Sequence, residues 1–523
     1  MGNQTIESVA EIIRVHGVGR ADEVALIQDD RRVTWSDLLD RSSQVAQGLV
    51  AAGVGPQERV AFLDKNGIEH FEVFFGAALL NALCVDVNWR LAAPEVEFVV
   101  NDTQAKVLVV GPDFVSLVEE VADNLTTVTK ILVIGDPGGF ESYEDWRDSQ
   151  AADDPGIESA QDDVAFQLYS SGTTGRPKGV MLTNDNFFSL LPVAKDMWGL
   201  TPTSVNLVAM PLFHIAGGGW ALAGMYEGCT SVIFRELDPA ALVRTIEEQR
   251  ITHTLFVPAV LQFILMVPGV EDFDYSSLQV LVYGASPISE DVLARCVKLF
   301  EPCNFWQAYG LTETTGTVVN LHPGDHDPAG PNRHRLRSCG VAGPSVELRI
   351  VGDGDAECET GEVGEIWIRS PQVMTGYWNM AEETAAAITD DGWFKSGDAG
   401  YLDEDGYLYI HDRVKDMIVS GGENVYPAEV ENVLMAHSGI ADVAVIGIPH
   451  EKWGETAKAI VVKSPGSDVT EEEIIEYARG HLATYKCPTS VDWIDVLPRN
   501  PSGKVLKKDL REPFWEGHDR RVG

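Results

Sequence analysis

Through the first three-fifths of the chain, short apolar runs alternate with amphipathic stretches. Arg59-Val60-Ala61-Phe62-Leu63 reads as a buried strand, residues 71–80 as a helix, and Ala105-Lys106-Val107-Leu108-Val109-Val110 as a second strand. Ahead of them, Ser36 is positioned to cap a helix that carries Leu38, Leu39, Val45, Ala46, Leu49 and Val50 on one face, with Gly53 ending it. Strands that alternate with helices predict a mostly parallel sheet covered on both faces. Residues 135–163 are rich in Gly, Asp and Glu and read as a surface connection.

The most marked stretch follows. Val164-Ala165-Phe166-Gln167-Leu168 leads into Tyr169-Ser170-Ser171-Gly172-Thr173-Thr174-Gly175-Arg176-Pro177-Lys178-Gly179, and Val180-Met181-Leu182 leads out. This pattern predicts strand, loop, strand. Gly172 and Gly175 let backbone amides approach a ligand closely. Ser170, Ser171, Thr173 and Thr174 add hydroxyls, and Lys178 adds a compact positive charge. Donors of this density in a small loop suit a polyphosphate. The loop is not a Walker A sequence, because Pro177 precedes the lysine and Gly179 follows it.

Beyond it, Thr183 caps a helix over residues 187–197, and Val205-Asn206-Leu207-Val208-Ala209-Met210 forms a strand that stops at Pro211. Leu212-Phe213-His214-Ile215-Ala216-Gly217-Gly218-Gly219-Trp220 comes next. Val280-Leu281-Val282-Tyr283 runs into Gly284-Ala285-Ser286-Pro287, and a further strand ends at Tyr309-Gly310-Leu311-Thr312-Glu313. Three strand ends carry glycine-bearing loops. In open α/β sheets ligands sit at the carboxyl ends of strands, so these loops are expected to share one crevice with the phosphate loop. From residue 322 the texture changes. Residues 322–338 read as loop, residues 346–351 and 365–368 as strands of a small β-rich subdomain, with Asp398 near a hairpin, and residues 414–523 as a compact α+β tail.

Charge sharpens this picture. Eighty Asp and Glu face 39 Lys and Arg, a formal net charge of −41. Such a surface repels nucleic acid and anionic lipid, and an anionic substrate needs a local basic patch. Seven cysteines without a C-x-x-C pair point to reduced thiols and a cytoplasmic protein. The first residues lack a basic stretch and an apolar core of a signal peptide. The apolar stretch 71–87 is interrupted by Glu72, Asn81 and Asp86, and the stretch 256–270 by Pro258, Gln262 and Pro268, so no transmembrane segment is expected. Peripheral membrane contact and a homodimer stay open. A serine hydrolase is disfavoured, since Gly284-Ala285-Ser286-Pro287-Ile288 lacks the second glycine of G-x-S-x-G.

Residues 169–179 resemble the signature loop of the adenylate-forming superfamily, which includes acyl-CoA synthetases, luciferases and adenylation domains. Six further blocks are similar and in the same order: 210–217, 283–287, 309–313, 392–398, 409–427 and 498–504. The run from Asp412 to Pro427 is closest to fatty-acyl-CoA ligases. The resemblance implies an α/β fold: a large N-terminal domain, residues 1–413, of two doubly wound α/β subdomains plus the β-rich subdomain, then a mobile α+β lid, residues 414–523. It implies ATP, Mg2+ and coenzyme A as reactants, and a carboxylic acid as substrate. The acid would form an acyl-adenylate and pyrophosphate, and the thiol of coenzyme A would then displace AMP.

The same resemblance implies roles. Glu313, with Thr312 beside it and Thr174 in the loop, would serve Mg2+ and catalysis, since that ion takes few protein oxygens. Gly284, Ala285, Ser286 and Gly310 would let the nucleotide lie against backbone, and Tyr309 would stack on adenine. Asp398 and Arg413 would contact the ribose. Lys504 would be catalytic, and one preorganised donor of that kind contributes ~3–4 kcal/mol to the transition state. Lys415 would be the hinge of the lid. Ser420, Gly421, Gly422, Glu423 and Trp453 would line the path of coenzyme A. His214 would border and gate an acyl pocket, with Gly217, Gly218, Trp220, Val257 and Tyr283 around it. An apolar pocket suits an alkyl or alicyclic acid. Rival readings are transfer to an amine or a carrier-protein thiol, oxidation of the adenylate, and a noncatalytic nucleotide-binding protein.

Overall fold

The computed structural model describes residues 6–170, 177–286, 288–413, 416–420, 423–450, 452–499 and 505–516, apart from the side chains of Asp353, Asp412, Arg413, Glu423 and Asn424. Two large sheets dominate. In the nine-stranded sheet, six parallel strands run side by side in the order Asn304–Tyr309, Val280–Gly284, His253–Phe256, Val205–Val208, Thr230–Ile233 and Val24–Gln28. Antiparallel strands close both of its edges. In the eight-stranded sheet, Arg59–Leu63 lies between Leu83–Asp86 and Val107–Val110, all parallel. The strand Val164–Ser170 flanks Leu83–Asp86, and Lys178–Thr183 folds back against it. Strand order reverses at Val205–Val208 in one sheet and at Arg59–Leu63 in the other. Crevices open at the carboxyl ends of strands at such reversals.

The helices Trp35–Ala51 and Ile68–Leu79 form where the apolar spacing predicted, whereas residues 215–226, read as beginning in a glycine-bearing loop, are a helix, Ile215–Tyr226. One core holds Leu38, Val45 and Leu49 of the helix Trp35–Ala51, Phe71 and Phe75 of Ile68–Leu79, and Trp220 of Ile215–Tyr226. A second core, holding Leu281, Tyr283 and Phe305, lies on the other face of the nine-stranded sheet. Neighbours Val280, Val282 and Trp306 belong to the first core. This is the two-residue alternation of a strand buried on both faces. Thr183 caps the helix Asn184–Trp198, as its sequence predicts.

Two local expectations about caps and connections need correction. Thr34, not Ser36, caps the helix Trp35–Ala51, because Asp37 at its third position completes a capping box with Thr34. The Ser36 hydroxyl donates instead to the Ala21 carbonyl, 2.9 Å away. Residues 135–163 are more than a surface connection, since they contain the helix Tyr143–Asp148. Tyr143 and Trp146 share one face and are buried, and the Tyr143 hydroxyl donates to buried Glu72 at 2.9 Å. The stretch 322–338 is loop-like, with short 3₁₀ turns, yet His326 within it is buried.

Two smaller sheets follow. The antiparallel strands Glu347–Val351, Gly364–Arg369, Phe394–Leu402 and Leu408–Arg413 make the β-rich unit, and Asp398 sits within a strand beside a bulge at Ala399 and Gly400. The last sheet pairs Ile440–His450 with Gly454–Lys463 over a separate core and packs the helices Pro427–Met435 and Glu471–Arg479. The architecture is thus a large N-terminal α/β domain followed by a smaller α+β domain. Among the described residues no helix is long and apolar enough to cross a membrane.

Candidate active site

Ser170 pairs with Lys178 across the hairpin, so these two residues are the feet of the Ser/Thr/Gly loop. Ser171, Gly172, Thr173, Thr174 and Gly175 lie outside the described residues. Glu313 reaches the hairpin from a 3₁₀ turn, Thr312–Thr314. That turn forms because the Leu311 amide donates to Thr314 Oγ1 at 2.9 Å, and left-handed Thr315 ends it. The Ser170 hydroxyl donates to Glu313 Oε1 at 3.4 Å. Tyr377, absent from the sequence-derived candidates, donates to the same oxygen at 3.0 Å. Its ring centre lies 4.7 Å from the Lys178 ammonium. Glu313 Oε2 accepts no hydrogen bond from the described residues. A carboxylate oxygen of this kind suits Mg2+, which binds few protein oxygens and keeps its waters.

A brace supports the hairpin from behind. The Tyr169 hydroxyl donates to Asp102 at 2.5 Å, and Trp378 Nε1 donates to the Asp102 carbonyl at 2.8 Å. The Arg59 guanidinium lies 3.5 Å from the Trp378 ring centre and donates to Gln167. Burial lowers the Arg59 pKa to about 10. Strand Gly376–Tyr377 then pairs with Lys178–Thr183, which brings Tyr377 to the loop. A Gly-Tyr pair between turn residues was the only local cue to it.

Tyr309 closes its strand, and its hydroxyl donates to Asp398 Oδ2 at 2.8 Å. Asp398 is buried and lies directly opposite Arg413 in the paired strands. The Arg413 side chain is outside the described residues. A Cβ on Gly310 would sit 1.7 Å from the Gly316 carbonyl oxygen, and one on Gly284 would sit 2.0 Å from that of Ala308. These glycines are needed for backbone-to-backbone packing at these strand ends. Ala285 follows in the left-handed region, φ 66°, with its surface exposed, and Ser286 is half-buried.

The proposed acyl-pocket residues do not converge. His214 holds the N-cap position of the helix Ile215–Tyr226 without a side-chain capping bond, and its ring is tilted against that of Phe213, 4.4 Å between centres. Gly217 and Gly218 leave no space: a Cβ on Gly217 would meet the Pro211 carbonyl oxygen at 2.1 Å, and one on Gly218 would meet Phe166 at 2.8 Å. Trp220 is a core side chain, donating to the Leu207 carbonyl at 3.2 Å and packed on Trp198. Tyr283 and Val257 belong to the second core, across the sheet from these glycines. The Tyr283 hydroxyl is held 3.2 Å from Gln307 Oε1 and 3.1 Å from His326 Nε2. Strand alternation turns Tyr283 away from the first core, so, contrary to the expectation from the sequence, it lies on the opposite face of the sheet from Trp220.

In the smaller domain, Ser420 is buried and pairs with Gly454, which sets Trp453 next to it in the strand register. Trp453 is 41% exposed and stacks on His450 at 4.5 Å. Glu423 pairs with Ser420 in the strand register, and Gly421 and Gly422 are outside the described residues. Lys415 and Lys504 are outside them too. The segment with Lys504 is flanked by a bridge between Arg499 and Val505.

With this geometry in view, comparisons identify the class. Residues 14–378 match the AMP-binding enzyme family, and residues 429–504 match the AMP-binding enzyme C-terminal domain. The chain belongs to the AMP-binding enzyme family. It is 37% identical over 522 residues to the fatty acid–acyl-carrier-protein ligase ScoC of Streptomyces coeruleorubidus, spanning 99% of this chain and 98% of that one. It is 38% identical over 498 residues to the long-chain fatty acid–CoA ligase FadD13 of Mycobacterium tuberculosis, spanning 93% and 94%. The solved anthranilate CoA ligase AuaEII, in complex with anthranoyl-AMP, superposes with a TM-score of 0.89 at 27% identity, over 97% of each chain.

Proposed function

We propose that this protein is an AMP-forming acid–thiol ligase that activates a fatty or related carboxylic acid with ATP and transfers the acyl group to coenzyme A. The observation that carries the reading is the meeting of Ser170, Lys178, Glu313 and Tyr377 at the base of the Ser/Thr/Gly loop, beside Tyr309 and Asp398. Ser170, Lys178 and the loop from Ser171 to Gly175 hold the triphosphate. Glu313, with Thr312 and Thr174, would hold Mg2+. That ion, when bound, offsets phosphate charge. Asp398 accepts from the ribose hydroxyls, Arg413 supports it, and Gly284, Ala285, Ser286 and Gly310 allow the base to approach backbone. Tyr309 orients Asp398 through its hydroxyl and offers its ring to adenine.

In this reading the chain divides between residues 413 and 414, and the smaller domain turns about Lys415 between the two half-reactions. Lys504 offsets charge on the attacking carboxylate and α-phosphate in the first. Ser420, Gly421, Gly422, Glu423 and Trp453 border the thiol acceptor in the second, and His214 borders the acyl group. A second acceptor, a carrier-protein thiol, is favoured by the name of the relative ScoC.

The test is pyrophosphate release with a panel of carboxylic acids, followed by thioester formation with coenzyme A or with a phosphopantetheinylated carrier protein. Acid-dependent pyrophosphate and a coenzyme A thioester are expected. Hydrolysis of ATP to ADP would overturn the reading, and a thioester only on the carrier protein would replace the acceptor. Lys504→Ala should lose adenylate formation by roughly 10²–10³-fold while thioester formation from supplied acyl-adenylate persists. An equal fall in both would refute the role of Lys504.

A further inference from the structure

Away from the crevice loops, three side chains of metal-ligand type meet between the helix Ile68–Leu79 and the strand Leu83–Asp86. They are His70, Cys84 and Asp86, which are 3%, 2% and 4% exposed. One donor atom from each lies within 4.8 Å of the others, the single such group among the described residues. The adenylate reading uses none of the three.

Their polar atoms are under-bonded for so buried a position. His70 Nε2 stands 2.8 Å from Asp86 Oδ1, yet the two are not aligned as donor and acceptor. His70 Nδ1 and Asp86 Oδ2 have no hydrogen-bond partner among the described residues. The Cys84 thiol approaches Asp86 Oδ1 at 3.9 Å. Around them the walls are apolar, for the imidazole packs against Phe62, Phe71 and Phe74 at 5.2, 5.1 and 5.9 Å. Buried polar groups without partners are costly, and two that approach closely without a hydrogen bond fit ligands that point at a shared third body.

We propose that His70, Cys84 and Asp86 bind one zinc ion. An imidazole nitrogen, a thiolate and a carboxylate are the donors zinc takes, at about 2.0–2.3 Å. In a tetrahedron with such bonds, ligand atoms stand about 3.3–3.7 Å apart. His70 and Cys84 stand 2.8 and 3.9 Å from Asp86 Oδ1, and all three donors lie within 4.8 Å of one another, so modest side-chain shifts bring them to that range. A divalent ion with one thiolate, one carboxylate and a neutral imidazole is electrically neutral, which suits an apolar surround. The bound ion would tie the start of the helix to the end of the strand. Val85 of that strand pairs with Gln167 of the strand that leads to Ser170, so the tie braces the base of the phosphate loop.

The test is metal analysis of the full chain, purified without chelator and without a metal column. About one equivalent of zinc per chain is expected to survive dialysis. Cells grown with cobalt in place of zinc should yield protein with intense visible bands and a near-ultraviolet thiolate-to-cobalt band. Cys84→Ala should abolish the thiolate band, and His70→Gln should lower the zinc content at least tenfold. Zinc and cobalt both absent from the wild type would overturn the proposal. So would a thiolate band that persists in Cys84→Ala. Should Cys84→Ala fail to fold, the wild-type cobalt spectrum decides alone: bound cobalt without sulfur charge transfer overturns it.

Discussion

The Tyr377 hydroxyl donates to Glu313 Oε1 at 3.0 Å, across a sequence separation of 64 residues. The same ring lies under the Lys178 ammonium. One tyrosine therefore sets the distance between the acid and the base of the phosphate loop. A hydrogen bond to a charged group is worth about 1.5–3 kcal/mol. Tyr377→Phe keeps the ring under Lys178 and removes only that bond. Pyrophosphate release should fall by roughly 10- to 100-fold, with a higher Mg2+ requirement and little change in melting temperature. A fall in melting temperature with an unchanged Mg2+ dependence would make Tyr377 a packing residue only.

Gly310 and Gly284 make a harsher prediction. The atoms a Cβ would strike, the carbonyl oxygens of Gly316 and Ala308, are backbone and cannot rotate away. Gly310→Ala and Gly284→Ala should each destabilise the protein by about 3 kcal/mol or more, because overpacking of a rigid site has no cheap relaxation. Gly19→Ala is the control, since nothing lies within 4 Å of its Cβ position. Denaturant melts that ranked all three alike would show that the backbone around Gly310 and Gly284 yields.

Much of this site was readable because its parts are local. The hairpin around Ser170 and Lys178, the strand ending at Tyr309, and the turn at Glu313 each announce themselves within a dozen residues. What joins them is not local. The Tyr309–Asp398 and Tyr377–Glu313 bonds span 89 and 64 residues, and no periodicity encodes them. Tyr283 shows a second limit. Alternation says that it faces opposite to Val282, but not which face borders a ligand. Gly217 and Gly218 show a third, since a glycine reads the same whether its missing side chain leaves a cavity or admits a neighbouring carbonyl. Thr34 could have been found, because Thr-x-x-Asp before an apolar face is a capping box, and it competes with Ser36 only two residues away.

The charge imbalance should be visible in stability. With 80 acidic and 39 basic residues, the folded chain repels itself over most of its surface. Raising potassium chloride from ~0.1 to ~1 M shortens the screening length from ~10 to ~3 Å. The melting temperature should therefore rise by several degrees. Partly buried pairs such as Arg147–Glu72, 2.7 Å apart, are screened less and should survive. A melting temperature that fell with salt would mean that surface ion pairs, not net repulsion, dominate.

His326 supplies the sharpest pH dependence. It is buried, its Nδ1 faces the His322 carbonyl oxygen at 2.9 Å, and its Nε2 faces the Tyr283 hydroxyl at 3.1 Å. Burial lowers its pKa from 6.5 to about 4, so the ring is neutral at pH 7. The proton then sits on Nδ1, donated to the carbonyl, and Nε2 accepts from Tyr283. In the unfolded chain the imidazole takes up its proton near pH 6.5. Above that pH the neutral ring carries no penalty, and its contribution to stability is fully present. As pH falls from 6.5 toward 4 the unfolded state binds a proton that the folded state refuses, and about 3 kcal/mol is lost. His16 and His253, also buried with lowered pKa values, act in the same direction. His326→Gln removes one such proton uptake while leaving the others. The stability difference between wild type and variant, measured by denaturant melts, should therefore shrink as pH drops from 7 to 4. A difference that widened over that range would require His326 to be protonated in the folded protein, and Tyr283 would then have to accept from it.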